Sequence, residues 1–175
     1  MRIFMIISIL ILSQFSILAQ NEVDIKSQLK TNGDLQFELQ LESQPFQLET
    51  FHNWIQSTNH YVSGEIVRIN SKEFIYKGKS HIYLSQKPST FQTEILFTLH
   101  ISKSNEGTHY VLKDIHYKSI PEYGKQGTPA FHTYCSDWFT HKKLYKKSGK
   151  MKSLNQNLMK NSTEFAEELI LSCID

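Results

Sequence analysis

Two runs of this chain alternate apolar and polar residues at a period of two, and nothing else in it constrains the fold as tightly. In Asp34 to Leu41, the residues Leu35, Phe37, Leu39 and Leu41 fall on one side. In Glu94 to Ser102, the residues Ile95, Phe97, Leu99 and Ile101 do the same. A strand turns successive side chains to opposite faces, so each run predicts a strand with one buried face. Those faces need a cover. After Pro45, Phe46, Leu48, Phe51, Trp54 and Ile55 recur at spacings of two to four residues and predict a helix from about Gln47 to Thr58. Tyr61 to Ile69, Glu73 to Leu84 and His109 to Lys118 complete a set of strands, divided by Asn70-Ser71-Lys72, Pro88-Ser89 and the hairpin signal Asn105-Glu106-Gly107. Short turns between neighbours favour an antiparallel meander, with Val111, Ile115 and Tyr117 packed beside the Ile95 face.

Ser119 to Gly149, with Pro121, Gly124, Gly127 and Pro129, reads as an irregular segment. Beyond it Met151, Leu154, Leu158, Phe165 and Leu169 keep helical spacing. Lysines lead and glutamates trail there, against the dipole of one long helix, and Asn161-Ser162-Thr163-Glu164 reads as a cap for a second. One helix and two both fit. The expected class is α+β: a single antiparallel sheet of about five strands in the order β-α-β-β-β-β-α, with two helices on one face.

The N-terminus points to export. Arg2 precedes an apolar block, Ile3 to Leu12, and Ala19 stands before polar Gln20-Asn21-Glu22, the layout of a signal peptide over residues 1–19. The block is about ten residues, against roughly twenty for a membrane span. Residues 20–175 are then expected to form one domain, with no transmembrane segment in the mature chain. The formal net charge is +2 and includes Arg2, too small to predict a polyanionic partner. The two cysteines, Cys135 and Cys173, lie beyond the cut and are expected to form a disulfide in an oxidising compartment. Closing that loop of about 39 residues would stabilise the fold by roughly 4 kcal/mol.

Most catalytic signatures are missing. Gly78-Lys79-Ser80 resembles the tail of a phosphate loop, but Glu73 stands where the motif needs glycine, and the run lies in a strand pattern. There is no Gly-x-Ser-x-Gly elbow, His-Glu-x-x-His helix, calcium loop or Cys-x-x-Cys pair. His132, Cys135, Asp137 and His141 place four possible metal ligands within ten residues, in no standard zinc spacing. Cys135 with either histidine could also form a nucleophile, unless oxidation consumes the thiol. His100, His109 and His116 lie on one predicted hairpin, with His81 on a neighbouring strand, so some could share a sheet face. The most biased stretch holds Lys142, Lys143, Lys146, Lys147, Lys150 and Lys152, with Tyr145 interleaved, and suits an anionic partner such as a lipid head group, a cell-wall polymer or an acidic protein face.

Phe51-His52-Asn53-Trp54-Ile55 on the helix, Glu73-Phe74-Ile75-Tyr76-Lys77-Gly78 on a strand, and Leu96-Phe97-Thr98-Leu99-His100-Ile101 leading through the turn to Thr108-His109-Tyr110 resemble an exported bacterial family. It is the domain of unknown function numbered 4468, described as having a TATA-binding-protein-like (TBP-like) fold. The resemblance covers about Leu35 to Lys118 and leaves out the segment from Ser119 to Gly149. It implies a fold and an exported habit, and no activity, cofactor or site residue. The functional expectation is a non-enzymatic binding or structural module of the bacterial cell envelope, periplasmic or secreted. It would contact an envelope protein or an anionic cell-surface component, with no cofactor and with nucleic acid disfavoured. The alternative is a metal-dependent or Cys/His thiol enzyme centred on residues 132–141.

Overall fold

Each long strand run finds a partner on both sides or forms an edge, and together they make one antiparallel sheet. A computed structural model of the chain describes residues 24–42, 44–84, 92–120 and 129–174; the expected signal peptide lies outside them. The strands are β1 (Lys26–Leu29), β2 (Leu35–Glu42), β3 (Ser63–Ile69), β4 (Glu73–Tyr83), β5 (Gln92–Ser104), β6 (Gly107–Ser119) and β7 (His132–Tyr134). Their order across the sheet is β1-β2-β6-β5-β4-β3, with β7 also paired to β6. From β3 to β6 the chain runs as the expected meander. Helix α1 (Leu48–Thr58) carries the chain from β2 to the far edge at β3. Two short helices follow β7, α2 (Cys135–Phe139) and α3 (His141–Leu144), and the last is α4 (Ser153–Ser172). The fold is α+β, with seven strands where about five were expected.

The core lies between the sheet and the helices. Ile95, Phe97, Leu99 and Ile101 of β5 are buried as their alternation predicts, beside Phe37 of β2 and Phe74 and Tyr76 of β4. Trp54 of α1 sets its ring edge-on against Phe74 and Tyr76, with centroids 6.3 and 5.4 Å away, and its Nε1 donates to Ser172 Oγ of α4 at 2.9 Å. Phe165 of α4 lies 5.4 Å from Phe97.

Strand β6 departs from simple alternation. Thr98 pairs with Lys113 and Leu96 with His116, so Phe97 faces two residues, Asp114 and Ile115. Asp114 takes up the extra residue with φ of 55°, a left-handed conformation that aspartate tolerates better than most side chains. The bulge reverses the parity of the strand: Tyr110 and Leu112 face the core before it, Ile115 and Tyr117 after it. Val111, expected in the core, therefore lies on the opposite side of the sheet among cleft residues.

The C-terminal segment is one helix. Ser162, read as part of a cap, lies buried in its middle, where its Oγ donates to Leu158 O at 2.7 Å and accepts from the Tyr117 hydroxyl at 2.8 Å. Burial pushes the Tyr117 phenol well above its ordinary pKa. In the segment read as irregular, the described part holds β7, α2 and α3, together with a bridge between Tyr145 and Met151. At the far edge, all seven residues of β3 are exposed, and Val67 bulges out of its pairing with β4. Among the described residues, no helix is long and apolar enough to cross a membrane.

Candidate functional site

With the helices on one face, the polar residues of the alternating strands form the other. This open face carries a cleft of about 1200 Å³. Register aligns Glu65 with Lys77, Lys77 with Thr98 and Thr98 with Lys113, a line of side chains across four strands. The two lysines thus flank Thr98 two strand spacings apart, about 10 Å. Among the described residues neither forms an ion pair. Glu38 and Glu65 also line the cleft, so its charge is mixed.

Two ion-pair groups frame the face. Glu94 lies between Lys79 Nζ at 3.3 Å and Lys118 Nζ at 3.5 Å. Its partial burial would raise the carboxyl pKa, but the hydrogen bonds and charges of the two lysines outweigh that and hold it below the ordinary range. At the other end, Arg68 donates to Glu73 Oε1 at 2.9 Å and, above all other causes, lowers the Glu73 pKa. His100 Nε2, buried, lies 3.3 Å from Glu73 Oε2 without hydrogen-bond alignment. His100, His109 and His116 all line the cleft, so the histidines of the hairpin do share a face. Next to β7, the His116 ring centroid lies 5.8 Å from that of His132 and 5.9 Å from that of Tyr134. Tyr134 and Phe131 are 61% and 59% exposed.

The four candidate ligands of residues 132–141 do not converge. Cys135 is buried with Sγ donating to Ile115 O at 3.0 Å. Asp137 Oδ2 accepts from the Tyr134 N–H at 2.9 Å and fixes the start of α2. His132 turns to His116, and His141 to Tyr145 at 4.9 Å. Among the described residues, no three of His, Cys, Asp or Glu are grouped to hold a metal ion. Burial pushes the Cys135 thiol up to about 11, the reverse of what a nucleophile needs.

Nor are the cysteines bonded: both are free and buried. Cys135 leans on Ile115, whereas Cys173 closes α4, where its Sγ donates to Leu169 O at 3.2 Å. The folded protein at pH 8 is expected to leave a thiol reagent unreacted, and unreduced protein in denaturant to react at both cysteines. A disulfide-linked peptide in a non-reducing digest would contradict this arrangement.

The lysine-rich segment stands apart from the cleft. Lys142 and Lys143 are exposed on α3, and Lys146 and Lys147 on the turn after it, beside half-buried Tyr145. None of them lines the cleft.

No protein-family model and no curated protein matches the sequence. Two solved structures are similar to it. One is the crystal structure of a DUF4468 family protein from Bacteroides ovatus ATCC 8483, with a TM-score of 0.59, 14% identity, and coverage of 87% of this chain and 88% of that one. The other is the crystal structure of a TBP-like protein from Parabacteroides distasonis ATCC 8503, with a TM-score of 0.56, 16% identity, and coverage of 83% and 94%. Identities this low speak to architecture and to nothing chemical. The chain has the TBP-like α+β fold of these two structures, one of them a DUF4468 family protein.

Proposed function

We propose that the chain is an exported, non-enzymatic binding module that holds an acidic group of an envelope partner on the open face of its sheet. The observation that carries this reading is the line Lys77-Thr98-Lys113, two lysines without ion pairs among the described residues, on either side of a hydroxyl in a cleft of about 1200 Å³. A carboxylate or phosphate over Thr98 would meet both ammonium groups, while Glu38 and Glu65 nearby disfavour a long polyanion. The apolar block before Ala19 supports export.

A pull-down from a bacterial envelope extract tests the reading. The native protein is expected to retain a partner, and the double substitution Lys77→Glu with Lys113→Glu to lose it. The pair Lys142→Glu with Lys146→Glu serves as the comparison. Equal capture by all three proteins would refute the cleft, and loss only in the second pair would move the contact to the lysine segment.

A further inference from the structure

We propose that His116 and His132 form a two-histidine clamp for a divalent transition-metal ion of the zinc or copper kind, at the corner of the sheet where β7 joins β6. The pairing of His116 with Tyr134 and of Lys118 with His132 puts both imidazoles diagonally on the open face. Their ring centroids are 5.8 Å apart and the rings are inclined by 34°. A metal bound to both rings at about 2.1 Å would stand roughly 3.2 Å from each centroid, which sets the centroids roughly 4.5 to 5.2 Å apart at coordination angles of about 90 to 110°, so exposed His132 would have to close on His116 by roughly 1 Å.

The tautomer also suits a ligand. His116 Nδ1 lies 3.0 Å from the carbonyl oxygen of Asp114. A carbonyl only accepts, so Nδ1 carries the proton and Nε2 keeps its lone pair. Donation from the non-ligating nitrogen to a backbone carbonyl is the usual way a metal-binding histidine is oriented. Here the carbonyl belongs to the left-handed bulge residue. Tyr134 packs on the His116 ring at 5.9 Å and limits its rotation. Lys118, paired with His132 across the strands, turns its ammonium to Glu94 Oε2 at 3.5 Å. With no third protein ligand among the described residues, the remaining positions are open to water or to a donor group from another molecule. The site differs from the sequence-read set: His132 serves, with a partner on another strand, and Cys135, Asp137 and His141 do not.

The test uses natively purified protein and Zn²⁺ or Cu²⁺ alone. Titration calorimetry is expected to show one saturable site per chain. His116→Gln and His132→Gln should each weaken it about tenfold or more, and His81→Gln and His109→Gln should leave it unchanged. With Cu²⁺, electron paramagnetic resonance should show coupling to two imidazole nitrogens, reduced to one in His132→Gln. His132 is exposed, so that variant keeps the fold, which an unchanged melting temperature verifies. Absence of binding at up to about 1 mM metal, equal affinity in the His132→Gln protein, or a nitrogen pattern unaffected by that change would each overturn the proposal. The result is independent of partner capture by Lys77 and Lys113.

Discussion

Gly78→Ala is expected to lower the unfolding free energy by about 3 kcal/mol, read from chemical denaturation, and Phe97→Leu in the same chain to restore part of the loss. Gly78 sits on the core side of β4, where neighbouring rings occupy the space of a side chain. A Cβ there would meet Phe97 Cζ at 2.4 Å and Tyr76 Cε1 at 2.7 Å. Both rings are buried against the helices, so neither can swing into solvent. Shortening Phe97 removes the closer atom, and contacting residues give non-additive effects. If the double variant lost the sum of the two single losses, the crowding explanation would fail. Gly64, opposite Gly78 on β3, is less forgiving still: its Cβ would stand 2.1 Å from the carbonyl oxygen of Lys77, and backbone yields less readily than a ring.

Trp54→Ala should cost about 3 to 5 kcal/mol, the range for deleting a buried aromatic side chain, and Trp54→Phe only about 1 to 2 kcal/mol. The indole is 3% exposed, fills the angle between Phe74 and Tyr76, and ties α1 to α4 through Ser172. Phenylalanine would retain most of the ring contact. The polar loss is small because Ser172 Oγ still donates to Leu169 O at 2.7 Å, leaving no stranded donor on that side. Thermal and urea unfolding of the two variants give the comparison. Equal losses would mean that the hydrogen bond, and not ring packing, holds the helices together.

Where burial writes a period into the residues, the fold was legible. Strand β5 has one face fully covered, and Ile95, Phe97, Leu99 and Ile101 betray it. The amphipathic stretch around Trp54 likewise gave α1 to within a residue. Strand β1 leaves no such trace, because Lys26-Ser27-Gln28-Leu29 is exposed throughout and its pairing with β2 is made by backbone alone. Strand β7, at three residues, is too short for any period. Counting by twos along β6 failed at Asp114, since a bulge is a change of phase that no single residue announces. The apparent cap at Asn161-Ser162-Thr163 misled for a different reason: Ser162 satisfies its hydroxyl inside the helix and against Tyr117, a contact 45 residues away in sequence.

The sites were harder to read for the same reason. Proximity along the chain grouped His132 with Cys135, Asp137 and His141, although a strand, a helix start and a second helix send those four side chains to different places. The relevant neighbour, His116, comes from across the sheet. Lys77 and Lys113 belong to separate strands and align only through Thr98. Alternation did anticipate that His100 faces away from the Ile95 side, whereas His109 and His116 share that face only because the bulge at Asp114 changes the phase of β6.

The outermost strand carries a consequence for self-association. Ile66, Val67 and Ile69 are 40%, 50% and 36% exposed beside an unpaired row of backbone amides and carbonyls, the arrangement that invites further chains to add on in fibrillar fashion. The kink at Val67 breaks the regular spacing of that row, and Glu65 and Arg68 set charges on either side of the kink. At high local concentration the chain relies on this irregularity to stay dispersed, and straightening it by deleting Val67 would remove the safeguard along with the residue.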